Sequence, residues 1–246
     1  MIIAEIGLNH LGKKDLLCTY VNELIKSDVD AITFQIREHS FYKNSKWSRF
    51  KIDDILYVDL AKKIKNSSKK IGVALSDLNK ISLFESINVD FYKILSKDLE
   101  DLNFLQTFSS NTNKKIYLST GMSNYKNIDK ALKYFDNCGL IHTRLSNNPS
   151  DVNLKAMEFM KKRYGQDISF GNHCENLNVI YAASVFLPSN YFVYVKLNNK
   201  HDKYPDCNHA VKLSEINFLK KNIKEIEAAV GGIEKKSSSN IIGGQI

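Results

Sequence analysis

Eight short β-branched runs, each followed by a longer stretch of helical periodicity, predict an α/β protein folded as one closed parallel (β/α)8 TIM barrel. Two further observations support that class. A length of 246 residues suits a single barrel, and no G-x-G-x-x-G follows the first strand, as an open doubly wound dinucleotide fold would have.

The first strand is read over 2–7, Ile2-Ile3-Ala4-Glu5-Ile6-Gly7, with Asn9-His10 beyond its end. The run is apolar enough to be buried, so its carboxylate, Glu5, needs a partner or a catalytic task. A helix follows over 14–26. The remaining strands are read at 31–36, 70–75, 91–95, 115–119, 140–145, 168–171 and 192–197. Their helices are read at 54–65, 80–87, 102–109, 127–136, 152–163, 177–186 and 214–230. Asp151 and Ser214 stand where capping residues open the last turn of chain before a helix. Gly231-Gly232 closes the final helix, so residues 1–232 are expected to form the barrel. Residues 233–246, with Ser237-Ser238-Ser239, are expected to form a flexible tail.

Composition narrows the function classes. The chain is 43% hydrophobic and 25% charged, with a net charge of +8. No apolar run approaches the ~18 residues of a membrane span, and the N-terminus lacks a signal-peptide layout, so a cytoplasmic protein is expected. Cys18, Cys138, Cys174 and Cys207 form no C-x-x-C pair and read as reduced thiols. The positive balance comes with no nucleic-acid motif. It is read as solvated surface and weak attraction for small anionic substrates.

A barrel of this kind carries its chemistry where strands end and loops begin. The first strand offers Glu5, and the second Gln35 and Arg37. The third ends at Ser76, and the fourth reads Lys93, Ser96 and Asp98. Ser119-Thr120-Gly121 ends the fifth, His173 follows the seventh, and Asp206 and His209 follow the eighth. An interior lysine among hydroxyls and an arginine suits a carboxylate or phosphate, though Lys93 could equally be the counter-ion of Glu5. His173 with Asp206 and His209 suits a metal site or an acid–base group.

Four segments in matching order resemble the sialic acid synthase family: 2–12, 89–96 (V-D-x-Y-K-I-x-S), 118–122 (L-S-T-G-M) and 205–213 around Asp206 and His209-Ala210. Weaker agreement continues at 140–142, 151–154 and Asn172-His173. The family condenses phosphoenolpyruvate with an N-acylated hexosamine, using a divalent metal (Mn2+ or Mg2+). The resemblance implies that Glu5 is the acid–base carboxylate, that Lys93 and Ser96 bind phosphoenolpyruvate, that His173 is a metal ligand and that Asp206 contacts the sugar.

The sequence also departs from the family pattern. Thr33 replaces the lysine of A-V-K-F-Q, Ser76-Asp77-Leu78 replaces threonine-proline-phenylalanine, and Gly171-Asn172 replaces serine-aspartate. Leu197 stands where the second metal histidine is expected, and the loop around Asn147-Asn148-Pro149 is short. The resemblance runs to about residue 232, so the family's C-terminal antifreeze-like domain is expected to be absent. The resulting expectation is a divergent synthase that forms or breaks a carbon–carbon bond between a small anion and a sugar aldehyde. The alternative is a catalytically degenerate barrel that binds or scaffolds in the same surface-carbohydrate pathway. Any homodimer is expected to use the barrel surface.

Overall fold

A computed structural model of the chain describes residues 1–165, 167–197, 204–232 and 234. The tail expected over 233–246 lies, apart from Glu234, outside these residues. Eight parallel strands follow one another around the barrel: β1 (Ile2–Glu5), β2 (Ala31–Ile36), β3 (Lys70–Leu75), β4 (Phe91–Ile94), β5 (Lys115–Ser119), β6 (Cys138–Thr143), β7 (Ile168–Gly171) and β8 (Tyr191–Lys196). Pairing of β1 with β8 closes the ring, so the (β/α)8 class read from the sequence is the fold observed. A two-residue strand, β9 (Val211–Lys212), adds to the end of β8 and ties down the segment before it.

Helices α1 (Lys14–Lys26), α2 (His39–Lys43), α3 (Asp54–Asn66), α4 (Ile81–Ser86), α5 (Leu102–Ser109), α6 (Tyr125–Ala131), α7 (Lys155–Tyr164), α8 (Asn178–Ser184) and α9 (Ile216–Val230) run between and after the strands. Their placement follows from spacing. α1 buries Leu17, Tyr20, Val21 and Leu24, and α3 buries Tyr57, Leu60, Ala61 and Ile64, the same i, i+3, i+4, i+7 stripe. The Asp53 and Asp101 side chains cap α3 and α5 by accepting from Ile55 N and Phe104 N.

Two expected caps are not caps. Asn153 adopts φ 50°, a left-handed turn that stops the chain from continuing as a helix, so α7 opens only at Lys155. Asp151 instead ends a short 3-10 turn opened by Asn148 and Pro149, and its carboxylate accepts from Ser146 Oγ. Ser214 lies inside a 3-10 turn, Leu213–Glu215, and α9 starts after it. Short α2 was not read from the sequence, because five residues carry too little periodicity. Among the described residues, no helix is long and apolar enough to cross a membrane.

What positions the site is the barrel's inner face. Ile3, Ala31, Phe91, Tyr117, Ile141 and Phe192 form a separate buried apolar cluster. Side chains two residues on from a strand position share its face. The next layer toward the strand ends is therefore Glu5, Thr33, Lys93, Ser119, Thr143 and Tyr194, every one of them buried. Gly72 makes room below: a Cβ there would lie 2.2 Å from the Phe91 ring. An apolar plug thus carries a polar floor.

Candidate active site

Glu5 and Lys93 meet across the barrel as an ion pair of 2.5 Å, each side chain only 5% exposed. The Lys93 ammonium also lies 5.2 Å from the Phe192 ring centroid, on the apolar plug. Burying both charges is tolerable only because they are paired. Of the two readings open for Lys93, the counter-ion is therefore realised, and it stands in the polar floor where a ligand would rest.

Segment 206–209 folds back over this pair on three tethers. Asn9 Nδ2 donates to Val195 O at 2.8 Å while its Oδ1 accepts from Asp206 N at 3.0 Å. Asn172 Nδ2 donates to His209 O at 3.4 Å, and Lys196 Nζ donates to Cys207 O at 2.7 Å. Gly7 lets the segment come close. Its φ of +56° is left-handed, and a Cβ there would stand 2.6 Å from the Tyr194 ring and 2.8 Å from Asp206 Oδ2.

The groups so gathered are Asp206, His209, His173 and Tyr194. His209 Nε2 lies 3.8 Å from Asp206 Oδ1, too long for a hydrogen bond, and has no other partner. The His173 ring centroid is 4.7 Å from His209 and 5.4 Å from Tyr194. Burial, reinforced by the Glu5 charge, pushes the Asp206 carboxyl up to about 7. Burial, with His209 and Lys93 nearby, holds the His173 imidazole down at about 3. Burial, with Lys196 and Lys93, holds His209 at about 4. At neutral pH both imidazoles are neutral and Asp206 is partly protonated. That is a proton donor beside two neutral acceptors.

The other residues singled out from the sequence divide into three groups. Arg37, Asp98 and Ser76 belong to a rim network: Arg37 grips Glu38 through Nε at 3.1 Å and Nη2 at 3.2 Å, and Lys97 reaches the same carboxylate at 3.3 Å. Lys97 also pairs with Asp98, which accepts from Ser76 Oγ at 2.6 Å. The Ser76 hydroxyl proton is therefore committed to a carboxylate.

Ser96 and Thr120 join strand ends: Ser96 Oγ accepts from Gly121 N at 3.1 Å, and Thr120 Oγ1 donates to Ile141 O at 2.9 Å. Ser119 Oγ has no partner, and neither does Thr143 Oγ1 beside it on β6. Gln35 is half-buried two residues beyond Thr33 on the inward face.

Leu197, the residue at the position of the expected second metal histidine, lies just past the end of β8. It packs on the outer core next to Thr19, Leu213 and Asn217, and its backbone N donates to Tyr20 OH. Its side chain faces away from the barrel interior. Thr143 and Tyr194, in contrast, were missed. Strict alternation along the sixth and eighth strands, Ile141-Thr143 and Phe192-Tyr194, carried the signal.

The model of the NeuB family matches residues 19–235. The chain belongs to the NeuB family. This NeuB-family chain is 27% identical to N,N'-diacetyllegionaminic acid synthase of Campylobacter jejuni, over 97% of this chain and 80% of that one. It is 25% identical to the protein of the same name from Legionella pneumophila, over 97% and 75%. The crystal structure of N-acetylneuraminic acid (sialic acid) synthetase from Leptospira borgpetersenii superposes with a TM-score of 0.89 at 20% identity, covering 97% of this chain and 87% of that one. At that identity the structural likeness speaks for the fold, and family membership rests on the sequence match. The family is one of carbohydrate-biosynthesis synthases.

Proposed function

We propose that this NeuB-family barrel catalyses an aldol-type condensation in nonulosonic acid or surface-carbohydrate biosynthesis, joining phosphoenolpyruvate or a related small anion to a sugar aldehyde. The observation that carries this reading is the convergence of the Glu5–Lys93 pair with Asp206, His209 and His173 over one polar floor. The bond formed joins C3 of the donor to the aldehyde carbon. Water adds at C2 and the C2–O bond to phosphate breaks. One proton of that water ends on the new hydroxyl and the other on the departing phosphate, so no oxidant or second reactant is needed.

The residues have distinct parts. Protonated Asp206, poised at about 7, gives its proton to the aldehyde oxygen as the carbon–carbon bond forms. Glu5 takes a proton from the attacking water, and its neutralisation releases the Lys93 ammonium to the negative charge of the donor. The partnerless Ser119 and Thr143 hydroxyls, with Lys93, bind the anionic donor. Ser96 accepts from Gly121 N, which leaves its own proton for the donor.

The divalent metal implied by the resemblance meets an incomplete donor set. Neutral His173 and His209 are chemically suitable, but among the described residues no three His, Cys, Asp or Glu side chains converge in a group that could hold an ion. The steps above therefore use the chain's own groups alone. A homodimer through the barrel surface belongs to the same reading and is checked by sedimentation.

Phosphate release from phosphoenolpyruvate with N-acylated hexosamines tests the proposal. Glu5→Gln is expected to lower turnover by about 10²–10⁴-fold. Turnover that survives this change would exclude the assigned role, and absence of both turnover and donor binding would favour a scaffolding barrel.

A further inference from the structure

A cavity of about 250 Å³ opens beside the end of β2, walled by the start of α3 and the turn after β3. Among its lining residues are Arg37, Tyr42, Lys51, Asp54, Tyr57 and Lys80. Tyr57 is only 3% exposed, its ring packs on Phe34 with centroids 5.1 Å apart, and its hydroxyl has no partner. A buried, unpaired phenol costs free energy that phenylalanine would avoid in the same space. Such a hydroxyl is the mark of a group waiting for a ligand.

Much of the rest of the wall is already committed. Lys80 pairs with Asp54, Arg37 with Glu38, and Tyr42 OH accepts from Arg37 N at 3.5 Å. Within these ion pairs the charges offset one another, and the Lys51 cation stands with the carboxylates Asp54 and Asp77 in the lining, so the surface is polar and of mixed sign. Carboxylates repel a phosphate but accept from hydroxyls, and hydroxyls both donate and accept. The wall therefore suits a neutral, polyhydroxylated group. Its volume is below the ~300–1,000 Å³ of whole-ligand pockets, which fits one end of a larger molecule. Arg37 also connects it to the mouth, since Glu38 shares Lys97 with Asp98 and Ser76 at the ends of β4 and β3.

We infer that this cavity binds the distal, hydroxyl-bearing end of the sugar whose aldehyde lies at the barrel mouth, with Tyr57 donating to one of its oxygens. The placing of the aldehyde at the mouth rests on the proposed synthase reading; the cavity's affinity for a sugar does not. Trp47, the single tryptophan of the chain, stacks on Phe41 at 5.2 Å, and Phe41 carries the Arg37 guanidinium 4.0 Å above its ring. Its emission is a reporter beside the cavity that requires no turnover.

The experiment titrates N-acetylmannosamine into the wild-type protein and Tyr57→Phe, read by Trp47 emission and by calorimetry, with phosphoenolpyruvate titrated separately. Expected in Tyr57→Phe are an unchanged or higher melting temperature, an about tenfold weaker sugar affinity (~1.4 kcal/mol) and unchanged phosphoenolpyruvate binding. Equal sugar affinity in both proteins, no sugar binding to the wild type, or a lower melting temperature in sugar-free Tyr57→Phe would each overturn the inference. Sugar binding weakened by Tyr57→Phe in a protein without turnover would reject the synthase and keep the cavity. Turnover lost in Glu5→Gln with sugar affinity unaltered by Tyr57→Phe would do the reverse.

Discussion

Two carboxylates at the same end of the barrel, Asp206 and Glu38, sit at opposite ends of the carboxyl range. Burial raises Asp206 to about 7, with the Glu5 charge adding to it, and the cation that opposes this, Lys93, is spent on Glu5. For Glu38 burial also pulls upward, but the Arg37 fork and Lys97 touch the carboxylate directly and hold it at about 2. The difference is one of contact rather than of residue type. The rim side of the mouth is a permanently charged brace, and the 206–209 side is a place where a proton can be kept and handed over.

The largest effect that tests this contrast is on the buried pair. Lys93→Met leaves Glu5 buried without its cation and is expected to cost about 3–5 kcal/mol, measured by urea unfolding. The double variant Glu5→Gln/Lys93→Met should recover much of that loss. A single variant as stable as the wild type would mean that the pair is not closed in solution.

Acid should separate the two sides next. His10, His173 and His209 are held at about 4, 3 and 4, below their ordinary 6.5. Between roughly pH 4 and 6.5 the unfolded chain therefore binds more protons at these sites, so their stabilisation is complete above 6.5 and is lost as pH falls. Asp206 runs the other way: raised from 3.8 to about 7, it stabilises fully below its unfolded value and loses that contribution as pH rises toward 7. Each group contributes at most about 1.4 kcal/mol per pH unit, and three outweigh one. Urea midpoints should fall from pH 7 to pH 5, and fall more steeply in Asp206→Asn, where the opposing group is gone. A wild-type midpoint that rises on acidification would contradict the assignment.

The smallest effect is expected on the rim. Glu38→Gln removes partly exposed ion pairs, worth no more than about 1 kcal/mol, and leaves the pH profile of turnover in place. A shift of that profile would mean that the brace and the proton-carrying side are coupled.

The sequence carried a good deal of this. Strands two, three, five and seven and the first helix match the observed bounds, because β-branched runs and a stripe such as Leu17, Tyr20, Val21 and Leu24 are local signals. Glu5, Lys93, His173, Asp206 and His209 were also legible, as polar residues at strand ends. The caps at Asp151 and Ser214 misled, since one left-handed residue, Asn153, and a 3-10 turn delay the helices that follow.

What the sequence determined by itself is the barrel and the residue types at its mouth, since both follow from period-2 and period-3.6 patterns along the chain. Only the tertiary structure decided which of those residues are spent and which are open. Ser76 and Ser96 have the same hydroxyl as Ser119, yet the first donates to Asp98, the second accepts from Gly121 with its proton still free to donate, and only the third lacks a partner. The reason is physical: a hydroxyl's availability, like the proton affinity of Asp206, depends on what stands within about 3 Å, and those neighbours come from distant parts of the chain.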